Sequence, residues 1–127
     1  MASLVVDGDR LVLQLSTAER ILGLVANDPE APLSSVRSAR VVRPAQQAIR
    51  GIRAPGTGLP GLLALGHWRG RGHDFVAVYG RHAGVVVEFE DQPFERWIVS
   101  VDDPDVVVAE IEKGGVRRPS DIRVLAS

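Results

Sequence analysis

His73-Asp-Phe-Val-Ala-Val-Tyr79, Gly84-Val-Val-Val-Glu-Phe-Glu90 and Trp97-Ile-Val-Ser-Val101 decide the fold. Each run is short and rich in β-branched and aromatic residues. Turn formers bound them: Gly70-Arg-Gly72 before the first, Gly80-Arg-His-Ala-Gly84 between the first and second, and Gln92-Pro93 between the second and third. A fourth run of the same kind, Leu62–Trp68, comes first. Val85, Val87 and Phe89 alternate with Val86, Glu88 and Glu90, and Trp97, Val99 and Val101 alternate with Arg96, Ile98 and Ser100. This period of two predicts strands with one buried and one wetter face, as in an antiparallel sheet. Asp103-Pro104 then opens a helix, with Asp at the N-cap and Pro in the first turn. Pro104, Val107, Val108 and Ile111 form its apolar stripe, Lys113 sits in its last turn, and Gly114-Gly115 stop it.

Toward the N-terminus, Leu4-Val-Val-Asp-Gly-Asp-Arg-Leu-Val-Leu-Gln-Leu15 reads as a β-hairpin. With Gly8-Asp9 at the turn, Leu4, Val6, Leu11, Leu13 and Leu15 share one face, and Gly takes the positive φ of a type II′ turn. A turn at Asp7-Gly8 would set Val6 against Asp9, so the first register is preferred. Ser16-Thr-Ala-Glu19 matches a capping box. Ala18, Ile21, Leu22 and Val25 follow at the spacing of one helical face, and Asn27 and Pro29 end a helix of roughly ten residues, which must pack on the sheet to be stable. Leu33–Arg43 alternates poorly but holds one or two strands, and Pro44–Arg53 holds one helical turn. Ala54-Pro-Gly-Thr-Gly-Leu-Pro-Gly61 is so dense in Gly and Pro that it reads as a loop.

The sum is a mainly-β chain of about seven strands with an early helix and a closing one, either a barrel or two packed sheets. The expected architecture is an antiparallel seven-stranded barrel whose open end is sealed by the C-terminal helix. Residues 1–114 form the domain and 115–127 an extension with enough apolar content (Val116, Ile122, Val124, Leu125) to dock on this chain or a partner.

The chain has 127 residues, enough for one domain with its own core. There is no cysteine, which excludes disulfides, thiolate catalysis and Cys-ligated zinc. No apolar run reaches the length of a membrane span, and the first residues lack a basic signal-peptide region, so a cytoplasmic protein is expected. Charge nearly cancels, at −1, which argues against nucleic acid as a partner. Fourteen of the fifteen basic residues are Arg, a bias read as the coding composition of a high-GC bacterium.

Val36-Arg-x-x-Arg-Val-Val42, Ile52–Gly61, Gly72-His-Asp-Phe-Val-Ala-Val78, Gly84-Val-Val-Val-Glu88 and Phe94–Pro104 follow one another at spacings that resemble a family of small, uncharacterised actinobacterial proteins with a bacterial pleckstrin-homology-like (PH-like) fold. The likeness runs from Leu4 to Gly114. Its most specific pieces are Gly56-Thr-Gly-Leu-Pro-Gly61 and Val99-Ser-Val-Asp-Asp-Pro104. The resemblance implies a bent seven-stranded barrel capped by a helix, and no established activity. Eukaryotic lipid-binding members place Lys and Arg around the first hairpin. Here that hairpin carries Asp7, Asp9 and Arg10, which would repel an inositol phosphate.

Charge is unevenly spread. Arg37 to Arg81 holds eight arginines and one acid (Asp74), whereas His82 to Glu112 holds nine acids and one arginine (Arg96). Arg37, Arg40, Arg43, Arg50 and Arg53 are the candidate residues for an anionic ligand or a partner, because guanidinium donates paired hydrogen bonds to carboxylate and phosphate. The plainer reading is preferred: neighbouring strands, or two copies, pair across opposite charge. Gly56, Thr57, Gly58, Pro60 and Gly61 form the candidate loop. It lacks the Lys of a phosphate loop and does not open a helix, so a structural or interaction loop is the better reading.

His67, His73 and His82 with Asp74 have no compact metal-ligand spacing, and solvated turn histidines are the simpler account. No Gly-x-Ser-x-Gly is present, Asp102-Asp103 suits helix capping, and Trp68 and Trp97 suit a core. No cofactor and no metal is expected. The expectation is a non-enzymatic binding or assembly module with a protein partner or a second copy of itself, and a peripheral binder of anionic lipid is the alternative.

Overall fold

A computed structural model describes residues 2–23, 25–50, 52–59, 63–70 and 72–114, with the backbone path alone for 52–59. The proposed extension at 115–127 lies outside the described residues. Among the described residues, nine strands run in the order β1 (Ser3–Asp7), β2 (Arg10–Gln14), β3 (Glu30–Pro32), β4 (Val36–Val42), β5 (Ile52–Leu59), β6 (Leu63–Arg69), β7 (His73–Tyr79), β8 (Gly84–Phe89) and β9 (Arg96–Ser100). Helix α1 (Thr17–Gly23) lies between β2 and β3, and α2 (Pro104–Lys113) follows β9. Short 3-10 turns cover Leu33–Ser35 and Ala45–Ala48.

The chain is mainly β, but the strands do not close into one barrel. They form a three-stranded sheet, β1-β2-β3, and an open six-stranded sheet, β4-β8-β9-β7-β6-β5. Nor is the large sheet wholly antiparallel, since β7 and β9 run parallel, joined through β8 rather than through a helix. The two sheets share one core. Leu4, Leu11, Leu13 and Leu15 from the small sheet meet Leu65, Phe75, Val85, Val87, Trp97 and Val99 from the large one. Helix α2 packs against β1, β4 and β8, so it bridges the two sheets along one side, with Ile111 fully buried.

The first hairpin takes the expected register, with Asp7 opposite Arg10, Val6 opposite Leu11 and Leu4 opposite Leu13. Gly8 sits at φ 62°, the left-handed conformation its turn requires. The alternation in β7, β8 and β9 also holds, but both faces are buried. Val76, Val78, Val86 and Ile98 form a second cluster on the outer face with Trp68, covered by Ala45, Ala48 and Ile49. The expected wetter face is dry because the Ala45–Ala48 turn folds across it.

Two elements differ more deeply from expectation. Ala54–Leu59 is part of strand β5, not a loop. It pairs with β6 at the edge of the sheet and absorbs Pro55 in a register shift between Arg53 and Gly56. An edge strand tolerates Pro and Gly because only one side of its backbone is in the ladder. Helix α1 has seven residues and turns its other face inward. Glu19 and Gly23 are buried, whereas Ile21 is 67% and Leu22 40% exposed. The capping box is present in both directions, Ser16 N–H to Glu19 Oε1 at 2.8 Å and Glu19 N–H to Ser16 Oγ at 3.1 Å. It anchors the helix with Glu19 toward the sheet, where the Tyr79 hydroxyl donates to Glu19 Oε2. Gly23 packs closely on the sheet there: a Cβ would lie in van der Waals contact, 3.4 Å from both Leu65 and Phe75.

Candidate functional site

The polar groups that sequence singles out are drawn mostly into structural bonds. Asp74, in the middle of apolar β7, is fully buried. Its carboxylate accepts from Arg50 Nε at 2.9 Å and Nη2 at 3.1 Å, and from Arg96 Nε at 3.2 Å and Nη2 at 3.0 Å. Arg96 also donates to the Ala48 carbonyl at 2.8 Å, which ties the covering turn to the sheet. The Asp74 bond raises the Arg50 pKa further, so this cation is committed to an internal partner. Among the described residues, every buried side-chain nitrogen and oxygen has a hydrogen-bond partner.

Other members of the arginine group stand apart from one another. Arg37 faces Glu90 at 3.4 Å and Arg43 faces Asp105 on α2 at 2.6 Å, both exposed. Exposed pairs of this kind contribute little stability, about 0–1 kcal/mol. Arg40, exposed on β4, has no acidic partner among the described residues. The Arg53 side chain lies outside them. Of the glycine-rich segment, Gly56, Thr57 and Gly58 belong to β5, while Pro60 and Gly61 lie outside the described residues.

His67 and His73 come together on adjacent strands, with His67 Nδ1 3.0 Å from His73 Nε2. Ring centroids 5.2 Å apart and planes 25° apart place the rings nearly edge to edge, so the two nitrogens point at each other as donor and acceptor. Two ligands of one metal would instead aim their lone pairs at a common point about 2.0–2.1 Å away. Phe94 covers both rings, at 5.4 Å from His67 and 4.6 Å from His73. Burial lowers the His73 pKa, and the charge of Arg69 and the proximity of His67 lower it further. The Tyr79 phenol is pushed up by burial and by its bond to Glu19.

The accessible features include a backbone edge and surface grooves. In the small sheet Leu13 N–H bonds Pro29 O, and Leu33 N–H bonds Asp9 O. With the register of Leu11 opposite Ala31, these bonds point residues 11 and 13 toward β3 and residues 10, 12 and 14 toward β1. On β1, Ser3, Val5 and Asp7 are then used by the ladder, and the N–H and C=O groups of Leu4 and Val6 face outward. Beside that edge lies a groove of 420 Å³, whose apolar parts come from Leu4, Val101, Val106 and Val107 and whose polar parts come from Ser3, Asp102 and Asp103. Val106 on α2 is 59% exposed there. A smaller, more apolar groove of 160 Å³ lies between β3 and the segment after β8, lined by Pro29, Ala31, Phe89, Pro93, Phe94 and Trp97.

Sequence reading missed both grooves and the buried Asp74 cluster. A lone Asp between His73 and Phe75 in an apolar strand was the available signal for the cluster, since a carboxylate there needs a buried cation. The grooves had no signal, because they depend on which strands end each sheet. The chain matches no family model, no curated protein and no solved structure.

Proposed function

We propose that this chain is a non-enzymatic binding or assembly module that takes an extended protein segment along the free edge of β1. One observation carries the reading. Leu4 and Val6 present two N–H and two C=O groups outward, next to a groove of mixed apolar and acidic lining walled by α2. A strand added there gains main-chain hydrogen bonds, and its alternate side chains reach the groove. The conspicuous titratable groups support a binding role over a catalytic one, because Asp74, Glu19, His67 and His73 bond one another or nearby side chains. Kinship with the PH-like group is supported by the leading hairpin, the short strands and the single C-terminal helix over the sheet. The open sheet and its parallel pair depart from a closed antiparallel barrel.

The test is light scattering of the full chain over a concentration series, combined with amide NMR during titration with extended apolar peptides. Either a mass above the monomer or saturable shifts at Leu4 and Val6 is expected. A monomer at every concentration, with those amides unmoved by any peptide, refutes the reading. The second reading, an anionic lipid surface, has exposed Arg40 in its favour. Flotation with anionic vesicles that fades at high salt would support it, because surface attraction weakens as the Debye length shrinks.

A further inference from the structure

Building on strand addition at the β1 edge, we propose that the added segment is basic and comes from another protein, with a Lys or Arg standing two positions from an apolar residue. The outer side of β1 is open to such a segment. Ser3, Val5 and Asp7 exchange their bonds with β2, while the N–H and C=O groups of Leu4 and Val6 have no backbone partner among the described residues. A strand laid against them, in either direction, puts every second side chain on the Leu4 side.

The groove on that side selects by charge. Ala2 and Leu4, two positions apart, line it together with Val106 and Val107 of α2 and with Asp102 and Asp103. An apolar side chain opposite Leu4 extends a surface in which Val106 is 59% exposed. Two positions along, a basic side chain comes level with Ala2, in the same groove as the two acids. Both carboxylates are exposed, and neither has a hydrogen bond or ion pair among the described residues. Asp103 is the N-cap residue of α2, yet its side chain makes no cap bond. The first turn of α2 adds Asp105, which Arg43 pairs. Even with the partial positive charge of the helix end, roughly one and a half negative charges remain over the groove. Arg10, opposite Asp7 in the hairpin, is bonded to Glu30 instead. A second copy does not supply the missing cation. Its β1 would bring Ser3-Leu-Val-Val-Asp7, an acid and no base. Pairing two copies edge to edge sets two acidic grooves side by side, and like charges across paired strands are destabilising.

The test titrates the full chain with two end-blocked synthetic peptides, Thr-Val-Thr-Lys-Thr-Val-Thr and the same sequence with Glu in place of Lys. Their Val spacing reads alike in both strand directions. Amide NMR should show saturable shifts at Leu4 and Val6, with the Lys peptide binding roughly tenfold more tightly than the Glu peptide at low salt. The gap should close near 1 M salt, where the Debye length falls to about 3 Å. Asp102→Asn/Asp103→Asn should close it as well. Asn is as good an N-cap as Asp, and an unchanged thermal midpoint would show the variant to be folded. Equal binding of the two peptides at low salt, or a gap that survives either high salt or the double substitution, overturns the charge assignment and leaves strand addition standing. A chain that is monomeric by light scattering and unmoved at Leu4 and Val6 by both peptides overturns strand addition and this inference with it. A mass above the monomer with Leu4 and Val6 at the contact overturns it in favour of a second copy.

Discussion

Replacing Asp74 by Asn removes one negative charge between two guanidiniums while leaving the shape of the site almost unchanged. Asp74 Oδ2 accepts three of the four arginine bonds and Oδ1 the fourth. An amide turned with its oxygen in the Oδ2 position keeps those three and sets its NH2 against Arg50 Nη2. Arg50 can relieve that clash, because its side chain is 30% exposed and Glu95 lies 3.7 Å away. Arg96 cannot, since its side chain is 9% exposed and is held by the Ala48 carbonyl as well. The cost is that of one stranded buried guanidinium, about 3–5 kcal/mol. Against a total stability of about 5–15 kcal/mol, this is a large fraction. Urea unfolding followed by Trp68 and Trp97 fluorescence would show a lower midpoint at unchanged slope. Asp74→Leu combined with Arg96→Met should be less damaging than Asp74→Asn alone, because it strands only the partly solvated Arg50. A loss below about 1 kcal/mol for Asp74→Asn, the size of an exposed pair, would refute the reasoning.

Three further outcomes are expected. Because the folded protein depresses the His73 pKa below its ordinary 6.5, the unfolded chain takes up that proton first. Stability from this group is therefore complete above pH 6.5 and declines as pH falls below it. His73→Gln should flatten the fall in denaturation midpoint between pH 7 and pH 5, and an identical slope would count against the assignment. Gly84→Ala places a Cβ 2.2 Å from the Val99 carbonyl oxygen, so the β8–β9 backbone must shift. A cost of about 1–3 kcal/mol or more is expected by thermal melt, and a neutral result would mean the strands lie farther apart. Ile21→Lys should change stability by less than about 0.5 kcal/mol, because the side chain is exposed. A loss of core-residue size would show that α1 buries this face after all.

Much of the fold was legible where local rules and burial agree. The Gly8 turn, the Ser16–Glu19 box and the alternation of Val85–Phe89 each depend on a few adjacent residues, and each appears in the structure. Where tertiary contact overrides pattern, the reading failed. Ile21 and Leu22 have the spacing of a buried stripe, yet the Tyr79 bond to Glu19 selects the other face. Gly56 and Pro55 signal a loop, yet an edge position lets them pair. Strand order was not legible at all, because nothing local distinguishes β9 lying between β7 and β8 from β9 lying outside them. The β1 edge and both grooves follow from that order, and so the candidate site stayed hidden while its individual residues did not.

The placement of β9 has a consequence for biosynthesis. Strands β7 and β8 are consecutive in the chain, but β9 separates them in the sheet. A ribosome releases both before Trp97–Ser100 emerges, so the edges of β7 and β8 that β9 joins have no native partner until then. Domains generally fold as units as they are made. This one must wait for nearly four-fifths of its length, and until then the valines of β7 and β8 are available to chaperones or to each other's neighbours on a crowded polysome.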